Sequence, residues 1–397
     1  MEQLVKKHRI LLANLKFSFR RKLIDQISWK ERMIGIKGSR GVGKTTMILQ
    51  YIKEKYQISE ECLYVNLDDL NFPFKNLIEL AEKFTQTGGK ILFIDEIHKQ
   101  SNWIVQLKNI YDFFPNLKIV FTGSSILELD HSKADLSRRV VMYNMQGLSF
   151  REFLQIETEK DFSEYNLSEI VENHEQICFD VVSKIKPLKY FSKYIRYGYY
   201  PFYLQNIETY SIKLSELINL IVEHDLSYIT NIDVEHFTKI KRFLYLLSHY
   251  VPVKPNISSL ASEMGMSRTT IINYIHYLQK ADVLSVIYSS DKKFKSMSKP
   301  EKVLLHHPNL YFAINSENAN IGSIRETFFA NQMSYNHTIE IPQKGDFFVN
   351  NKYTFEVGGK NKSYKQIADI ENSYIVADDI EIGLKNKIPL WLFGFLY

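Results

Sequence analysis

The feature that most constrains this chain is a glycine-rich loop placed between a short apolar run and a helical segment. Residues 33–37 are typical of a strand and residues 45–56 of a helix. The loop between them matches the phosphate-binding pattern of glycine, four residues, glycine, lysine and a hydroxyl residue. Its residues are Gly38, Ser39, Arg40, Gly41, Val42, Gly43, Lys44 and Thr45. Such a loop gathers backbone N–H groups at a helix N-terminus, so the sequence predicts an α/β unit that binds ATP.

Each residue type in this loop has a predicted role. Lys44 would neutralise the β and γ phosphates, and the Thr45 hydroxyl would lie on Mg²⁺, a hard cation that prefers oxygen ligands. Thr46, the next residue of the helix, is also expected to contact the nucleotide. The predicted cofactors are therefore ATP and Mg²⁺.

A second motif follows at residues 91–96, where an apolar strand ends in two carboxylates. An aspartate at the end of such a strand can hold Mg²⁺, and the next carboxylate can activate the attacking water as a general base. We assign the first role to Asp95 and the second to Glu96. A buried strand that ends in two acids is also common in structural roles, so the assignment depends on the phosphate-binding loop.

Three further residues are weaker candidates. Thr122 ends the strand predicted at residues 117–122 and would place a hydroxyl near the γ-phosphate, unless it only begins the Gly-Ser turn that runs to Ser125. Arg138 and Arg139 could reach a nucleotide in a neighbouring subunit as an arginine finger. The alternative for both is a solvated position near a helix C-terminus.

The wider pattern predicts the fold class and three regions. Strands predicted at residues 33–37, 63–67, 91–94, 117–122 and 140–145 alternate with helices, which indicates a three-layer α/β core around a parallel sheet. This core, with an N-terminal helix, covers residues 1–150. A mainly helical region follows at 151–290, and a small α/β domain at 291–397 contains strands at 347–349, 353–357 and 373–376, with a strand-like apolar end at 389–397.

Composition adds limits of its own. The net charge of +5 is too small to indicate a nucleic-acid binder, although residues 1–40 carry eleven Lys or Arg against three acids. This basic segment could meet phosphate, but a solvated helix face is the simpler interpretation. Two distant cysteines exclude a zinc site and a disulfide framework. Apolar runs too short to span a bilayer, and the lack of a signal-like N-terminus, predict a cytoplasmic protein without membrane contact.

Residues 38–45, 91–98, 120–125 and 148–153 together resemble the bacterial and archaeal AAA-type ATPases, above all the subgroup with a C-terminal domain of unknown function. The resemblance covers most of the chain. It implies an ATPase core, a winged-helix segment and a last domain similar to the PD-(D/E)xK nuclease fold. In that family an arginine precedes the strand before a Leu-Ser-Phe motif, and the matching position is Arg139. Gly147 replaces a frequent proline, a change away from the chemistry. Arg138 replaces a glycine, and this second change leaves the choice of finger open.

A helix-turn-helix is predicted within residues 250–290, running into a strand of a β-hairpin wing. Ser267 is a credible N-cap for its second helix, on which Ile271, Tyr274, Ile275 and Leu278 form an apolar stripe. The other face could contact DNA. Its polar residues are Arg268, Thr269, Asn273, His276, Tyr277 and Lys280. With only two cations there, a packing or partner-binding role is the favoured alternative.

The last domain contains the residue types of a metal-dependent nuclease, namely Glu326, Asp346, Glu356 and Lys360. That chemistry needs the lysine two positions after the second acid, where Gly358 stands instead. Lys360 lies about 13 Å beyond Glu356 in an extended strand, too far for one site unless Gly358 and Gly359 form a bulge, so a degenerate fold used for binding is the better interpretation.

The sequence thus predicts an ATPase that couples Mg-ATP hydrolysis to a change in its appended regions. DNA, a protein partner or a second copy of the chain are the partners considered. The alternatives are a regulator whose bound nucleotide is structural and, less favoured, a Mg²⁺-dependent nuclease.

Overall fold

Residues 1–17, 19–123, 136, 138–226, 234–250, 256–289, 300–315 and 319–397 are the part of the chain that the computed structural model describes. They divide into two compact units, Met1–Gly147 and Leu148–Tyr397. The region boundaries predicted near residues 150 and 290 remain predictions. In the described part, no helix is both long and apolar enough to cross a membrane.

A parallel five-stranded sheet forms the centre of the first unit, with the strand order β2-β3-β4-β1-β5. Because β4 lies between β1 and β3, the residues that follow these three strands meet at one edge of the sheet. Short apolar runs with nearly complete burial explain why β1, β3 and β4 form the interior strands, whereas β5 is an edge strand and is partly exposed. The strands are β1 (Met33–Lys37), β2 (Cys62–Asn66), β3 (Ile91–Asp95), β4 (Lys118–Gly123) and β5 (Val141–Asn144).

Helices cover both faces of this sheet. In β3, Leu92 and Ile94 belong to the same apolar cluster as residues of α4 and α5, whereas the ring of Phe93 points to the other face, 6.3 Å from the ring of Tyr51 in α3. The predicted three-layer α/β class is therefore confirmed. The helices are α1 (Glu2–Asn14), α2 (Leu23–Gln26), α3 (Lys44–Lys55), α4 (Leu77–Gln86) and α5 (Trp103–Phe113).

The second unit begins with helices and ends with a mixed sheet. Its described helices are α6 (Phe150–Thr158), α7 (Leu167–Val182), α8 (Pro187–Lys193), α9 (Tyr210–Leu220), α10 (Val234–Tyr250), α11 (Ile257–Met264), α12 (Arg268–Lys280), α13 (Asn309–Ile314) and α14 (Ile321–Met333). Its strands are β6 (Leu284–Ile287), β7 (Lys302–Leu305), β8 (Ile339–Glu340), β9 (Phe347–Val349), β10 (Tyr353–Gly358), β11 (Ser373–Ala377) and β12 (Lys387–Pro389).

Strands β6 and β7 form a separate antiparallel pair, and the larger sheet has the order β12-β11-β10-β9-β8. Within it, β10, β11 and β12 run parallel, while β9 is antiparallel to both β10 and β8. The apolar C-terminal run is largely not a strand, because a 3-10 helix at Leu390–Phe395 follows β12.

Candidate functional site

The phosphate-binding loop joins β1 to α3 at the edge where β1, β4 and β3 end. Gly43 has a φ of 95°, a left-handed conformation that favours glycine at the N-cap of α3. A Cβ on Gly38 would lie 2.2 Å from the carbonyl oxygen of Met145, so only glycine fits against the chain after β5. The loop's glycines are thus explained by backbone geometry and close approach.

Polar groups inside the loop are arranged for an anion. Lys44 is buried, and its Nζ donates to the carbonyl oxygens of Gly38 at 2.7 Å and Ser39 at 3.0 Å. The Ser39 hydroxyl is buried and has no hydrogen-bond partner among the described residues. A buried hydroxyl is costly without a partner, so this atom fits a ligand oxygen. Arg40 is half-buried, Val42 is buried, and Gly41 and Thr46 are exposed.

The Asp95 carboxylate is the centre of the site. It is buried and accepts hydrogen bonds from the hydroxyls of Thr45 at 2.6 Å and Tyr64 at 2.8 Å, both on Oδ2, and from Thr122 on Oδ1. Thr45 and Asp95, the two predicted Mg²⁺ ligands, therefore lie in direct contact. Oxygen donors of this type are the ones that Mg²⁺ prefers, so this pair fits the cation.

Glu96 follows Asp95 with a left-handed backbone, at a φ of 55°. This conformation is uncommon for a residue with a side chain and is often found at functional sites. Its N–H donates to the Thr122 hydroxyl at 3.2 Å, and its Oε2 lies 3.5 Å from Nε2 of His98, whose side chain is buried. Thr122 therefore contacts both Asp95 and Glu96.

Sequence reasoning missed Tyr64 and His98. Tyr64 belongs to β2, the edge strand beyond β3, and the burial around its hydroxyl, with the nearby Asp95 charge, raises its pKa. Its phenol thus stays a donor to Asp95. The strand order that brings Tyr64 to Asp95 has no local sequence signal. His98, in contrast, lies within residues 91–98, so its contact with Glu96 could have been predicted from the sequence.

The structure does not bring Arg139 to this site. It precedes β5, at the amino ends of the parallel strands, whereas the phosphate-binding loop lies at their carboxyl ends. Its Nε lies 3.1 Å from Oδ1 of Asp112 in α5. Its guanidinium carbon is also 5.8 Å from the centre of the Tyr111 ring. Arg138 is exposed. A finger role for either residue needs a neighbouring subunit and remains a prediction; Ser124 and Ser125 lie outside the described residues.

In the second unit, α11 and α12 are joined by a turn at Gly265, whose φ is 64°. The Ser267 hydroxyl caps α12 by accepting from the Thr270 N–H at 3.0 Å. One face of α12 is buried through Ile271, Tyr274, Ile275 and Leu278. The other face exposes Arg268, Thr269, Asn273 and His276, and half-buries Tyr277 and Lys280.

The acids of the predicted nuclease set are neutralised by lysines, but not by Lys360. Lys360 is exposed, and the Lys362 Nζ instead lies 2.6 Å from Oε1 of the buried Glu356. The stem of Lys362 fills the space beside Gly358, where a Cβ would be 2.7 Å from its Cδ. The loop after β10 bends, so Lys362 and not Lys360 reaches Glu356. Residue spacing along an extended strand does not account for such a bend.

A second lysine, Lys302, neutralises the other two acids of this cluster. The Lys302 Nζ lies 2.7 Å from Oε2 of Glu326 and 3.7 Å from Oδ1 of Asp346. Burial raises the pKa of the Glu326 carboxyl, and the Lys302 charge opposes that rise. Within the described ranges, no group of three or more His, Cys, Asp or Glu side chains is placed to hold a metal ion.

Comparison with known proteins places the chain in a family. It is 30% identical to the uncharacterized protein MJ1637 of Methanocaldococcus jannaschii, over 90% of this chain and 82% of the relative. The chain belongs to the family of that protein. Two family models also match: residues 30–154 match an AAA domain, and residues 188–318 match a domain of unknown function. The first unit thus carries an AAA-type, P-loop domain.

Solved structures that match the chain include AMPPCP-bound DnaA from Aquifex aeolicus, at 14% identity and a TM-score of 0.24, over 70% of this chain and 86% of that one. A DNA replication initiation factor matches at 15% identity and a TM-score of 0.25, with the same coverage of 70% and 86%. Scores this low say nothing about what this chain binds.

Proposed function

We propose that this protein hydrolyses Mg-ATP at the edge of the first unit's sheet. The observation that carries the proposal is the buried Asp95 carboxylate, which is in contact with Thr45 of the phosphate-binding loop while Glu96 stands beside it. A loop that only bound a nucleotide would not need a second carboxylate next to Asp95.

The residues divide the work between binding and proton transfer. When ATP binds, the Lys44 Nζ exchanges its hydrogen bonds to the carbonyls of Gly38 and Ser39 for contacts with the phosphates. The unpartnered Ser39 hydroxyl donates to a phosphate oxygen. Thr45 and Asp95 hold Mg²⁺, which when bound offsets charge that develops on the phosphates. Glu96 takes the proton of the attacking water, and Thr122 holds the Asp95 carboxylate and the Glu96 backbone N–H in place.

The test of the nucleotide site is ATP binding and phosphate release by Lys44→Ala. Loss of a charged partner should weaken ATP binding by about 10- to 100-fold and remove turnover. Lys55→Ala, at an exposed position of the same helix, is the matched control and should behave like wild type. Equal binding by Lys44→Ala and wild type would contradict the proposal.

We further propose that hydrolysis changes the state of the regions that follow, with a protein or DNA as the partner of the α11–α12 pair. The exposed polar face of α12, next to the β6–β7 hairpin, supports a winged-helix interpretation. Arg268→Ala should weaken binding to duplex DNA and lower the salt slope by about one. Ser262→Ala on α11 is the control, and the absence of any salt-dependent binding by wild type would favour a protein partner instead.

Two alternatives are separated by simple assays. A regulator with structural nucleotide would release no phosphate even with DNA present. A nuclease is not favoured, since Lys302 and Lys362 already neutralise the carboxylates that a metal would need.

Self-association in the presence of ATP, measured by size, would give Arg138 or Arg139 a neighbouring site to complete.

A further inference from the structure

Arg21 is a buried arginine that connects the phosphate-binding loop to the end of the first unit. Its Nη1 donates to the carbonyl oxygen of Val42 at 3.0 Å. Its Nη2 donates to the carbonyl oxygens of Gln146 at 2.8 Å and Gly147 at 3.1 Å. Gly147 is the last residue of the first unit. One guanidinium thus bridges the loop and the segment that leads into the rest of the chain.

The segment before Arg21 is fastened to α3, the helix that the loop begins. The Lys53 Nζ donates to the carbonyl oxygen of Leu15 at 2.8 Å, and the Gln50 Nε2 donates to that of Phe19 at 3.2 Å. Arg20 pairs with Glu54 at 3.0 Å. Leu15, Phe19 and Arg20 are therefore held against α3, and Arg21, the next residue, extends toward Gln146 and Gly147.

The bond to Val42 also sets the direction of a neighbouring N–H group. In a trans peptide the carbonyl and the following N–H point in opposite directions, so the contact with Arg21 turns the Gly43 N–H away from the guanidinium. Backbone N–H groups of this loop are the ones that bind phosphate. A fixed Val42 carbonyl therefore gives a fixed donor at Gly43 before the nucleotide arrives.

We propose that Arg21 is a positioning residue that orients the Val42–Gly43 peptide for phosphate and transmits nucleotide binding to residues 146–147. This inference rests on the proposed ATPase function. A guanidinium suits the task because its planar fork reaches carbonyls of two segments at once, which a lysine cannot do with the same geometry.

The test measures ADP binding in Mg²⁺ buffer by calorimetry, together with amide hydrogen exchange with and without ADP. Arg21→Met should weaken ADP binding by about tenfold or more. In wild type, ADP should slow exchange at residues 38–45 and also at 145–148, whereas Arg21→Met should lose the second effect. Arg9→Met removes an exposed arginine of α1 that pairs with Glu60 and is not part of the Arg21 segment, and it should match wild type.

Melting curves show whether each variant folds. If Arg21→Met does not fold, Arg21→Lys carries the test, with an expected loss of about threefold or more in ADP affinity. Wild-type affinity and wild-type exchange at 145–148 in a folded Arg21 variant would overturn the inference alone. Failure of wild type and Arg9→Met to bind ADP would contradict the ATPase proposal itself, and the role of Arg21 with it.

Discussion

The hydroxyl of Thr122 donates a hydrogen bond to the carboxylate of Asp95, and it does so across two neighbouring strands. The contact exists because β4 lies between β1 and β3, so the end of β4 meets the ends of both. The same hydroxyl accepts from the Glu96 N–H. Thr122 is therefore a structural link between the Mg²⁺-binding and the water-activating carboxylates of the proposed site.

Thr122→Val tests this link, because valine keeps the shape of threonine and removes its hydroxyl. We expect turnover of ATP to fall about tenfold, since a charge-assisted hydrogen bond is lost, with little change in ATP affinity. Phosphate release and calorimetric binding give the two quantities. Thr87→Val, exposed after α4, is the control, and wild-type turnover by Thr122→Val would exclude a role for the hydroxyl.

Tyr64→Phe tests whether the phenol positions Asp95. The ring remains, but the donor at 2.8 Å from Oδ2 is removed, so the carboxylate should hold Mg²⁺ less well. We expect the Mg²⁺ concentration for half-maximal turnover to rise by about three- to tenfold. Unchanged Mg²⁺ dependence would show that Thr45 and Thr122 position Asp95 without Tyr64.

Much of the site is readable from sequence because its parts are local. The phosphate-binding loop follows a recognisable strand, Asp95 ends another, and Glu96 comes directly after Asp95. The apolar stripe of α12 repeats at helical spacing. Contacts that depend on strand order or on loop conformation have no such signal. Arg21 reaches Gln146 over a long stretch of chain, and Lys362 reaches Glu356 only because the intervening loop bends back.

His8 gives a prediction for the pH dependence of stability. Its Nδ1 accepts from the Tyr64 N–H at 3.1 Å, and burial, with the Arg9 charge, lowers its pKa from 6.5 to about 4. Between these values the unfolded chain binds the extra proton and the folded chain does not, so stability falls as pH falls from 6.5 to about 4. In chemical denaturation, the free energy of unfolding of wild type should therefore fall relative to that of His8→Phe as the pH falls over this range. A constant difference would show that His8 does not titrate as proposed.

Lys362→Met tests the lysine cluster of the second unit. Removing the partner of the buried Glu356 should destabilise the unit by about 1–3 kcal/mol, an amount reduced by the partial exposure of Lys362. Adding Glu356→Gln should restore part of the loss, because no unpaired charge then remains. Lys360→Met, at an exposed position, should leave the melting curve unchanged, and an equal loss in both lysine variants would contradict the assigned pairing.

The most direct test of the proposed hydrolysis is Glu96→Gln, with ATP binding and phosphate release measured on the same sample. Glutamine keeps the size of the side chain but cannot accept the proton of water, so binding should persist while release falls roughly 100-fold or more. Glu82→Gln, an exposed acid on α4, should release phosphate like wild type. Equal release by Glu96→Gln and wild type would contradict the role of Glu96, and no release by wild type under any partner condition would contradict the account as a whole.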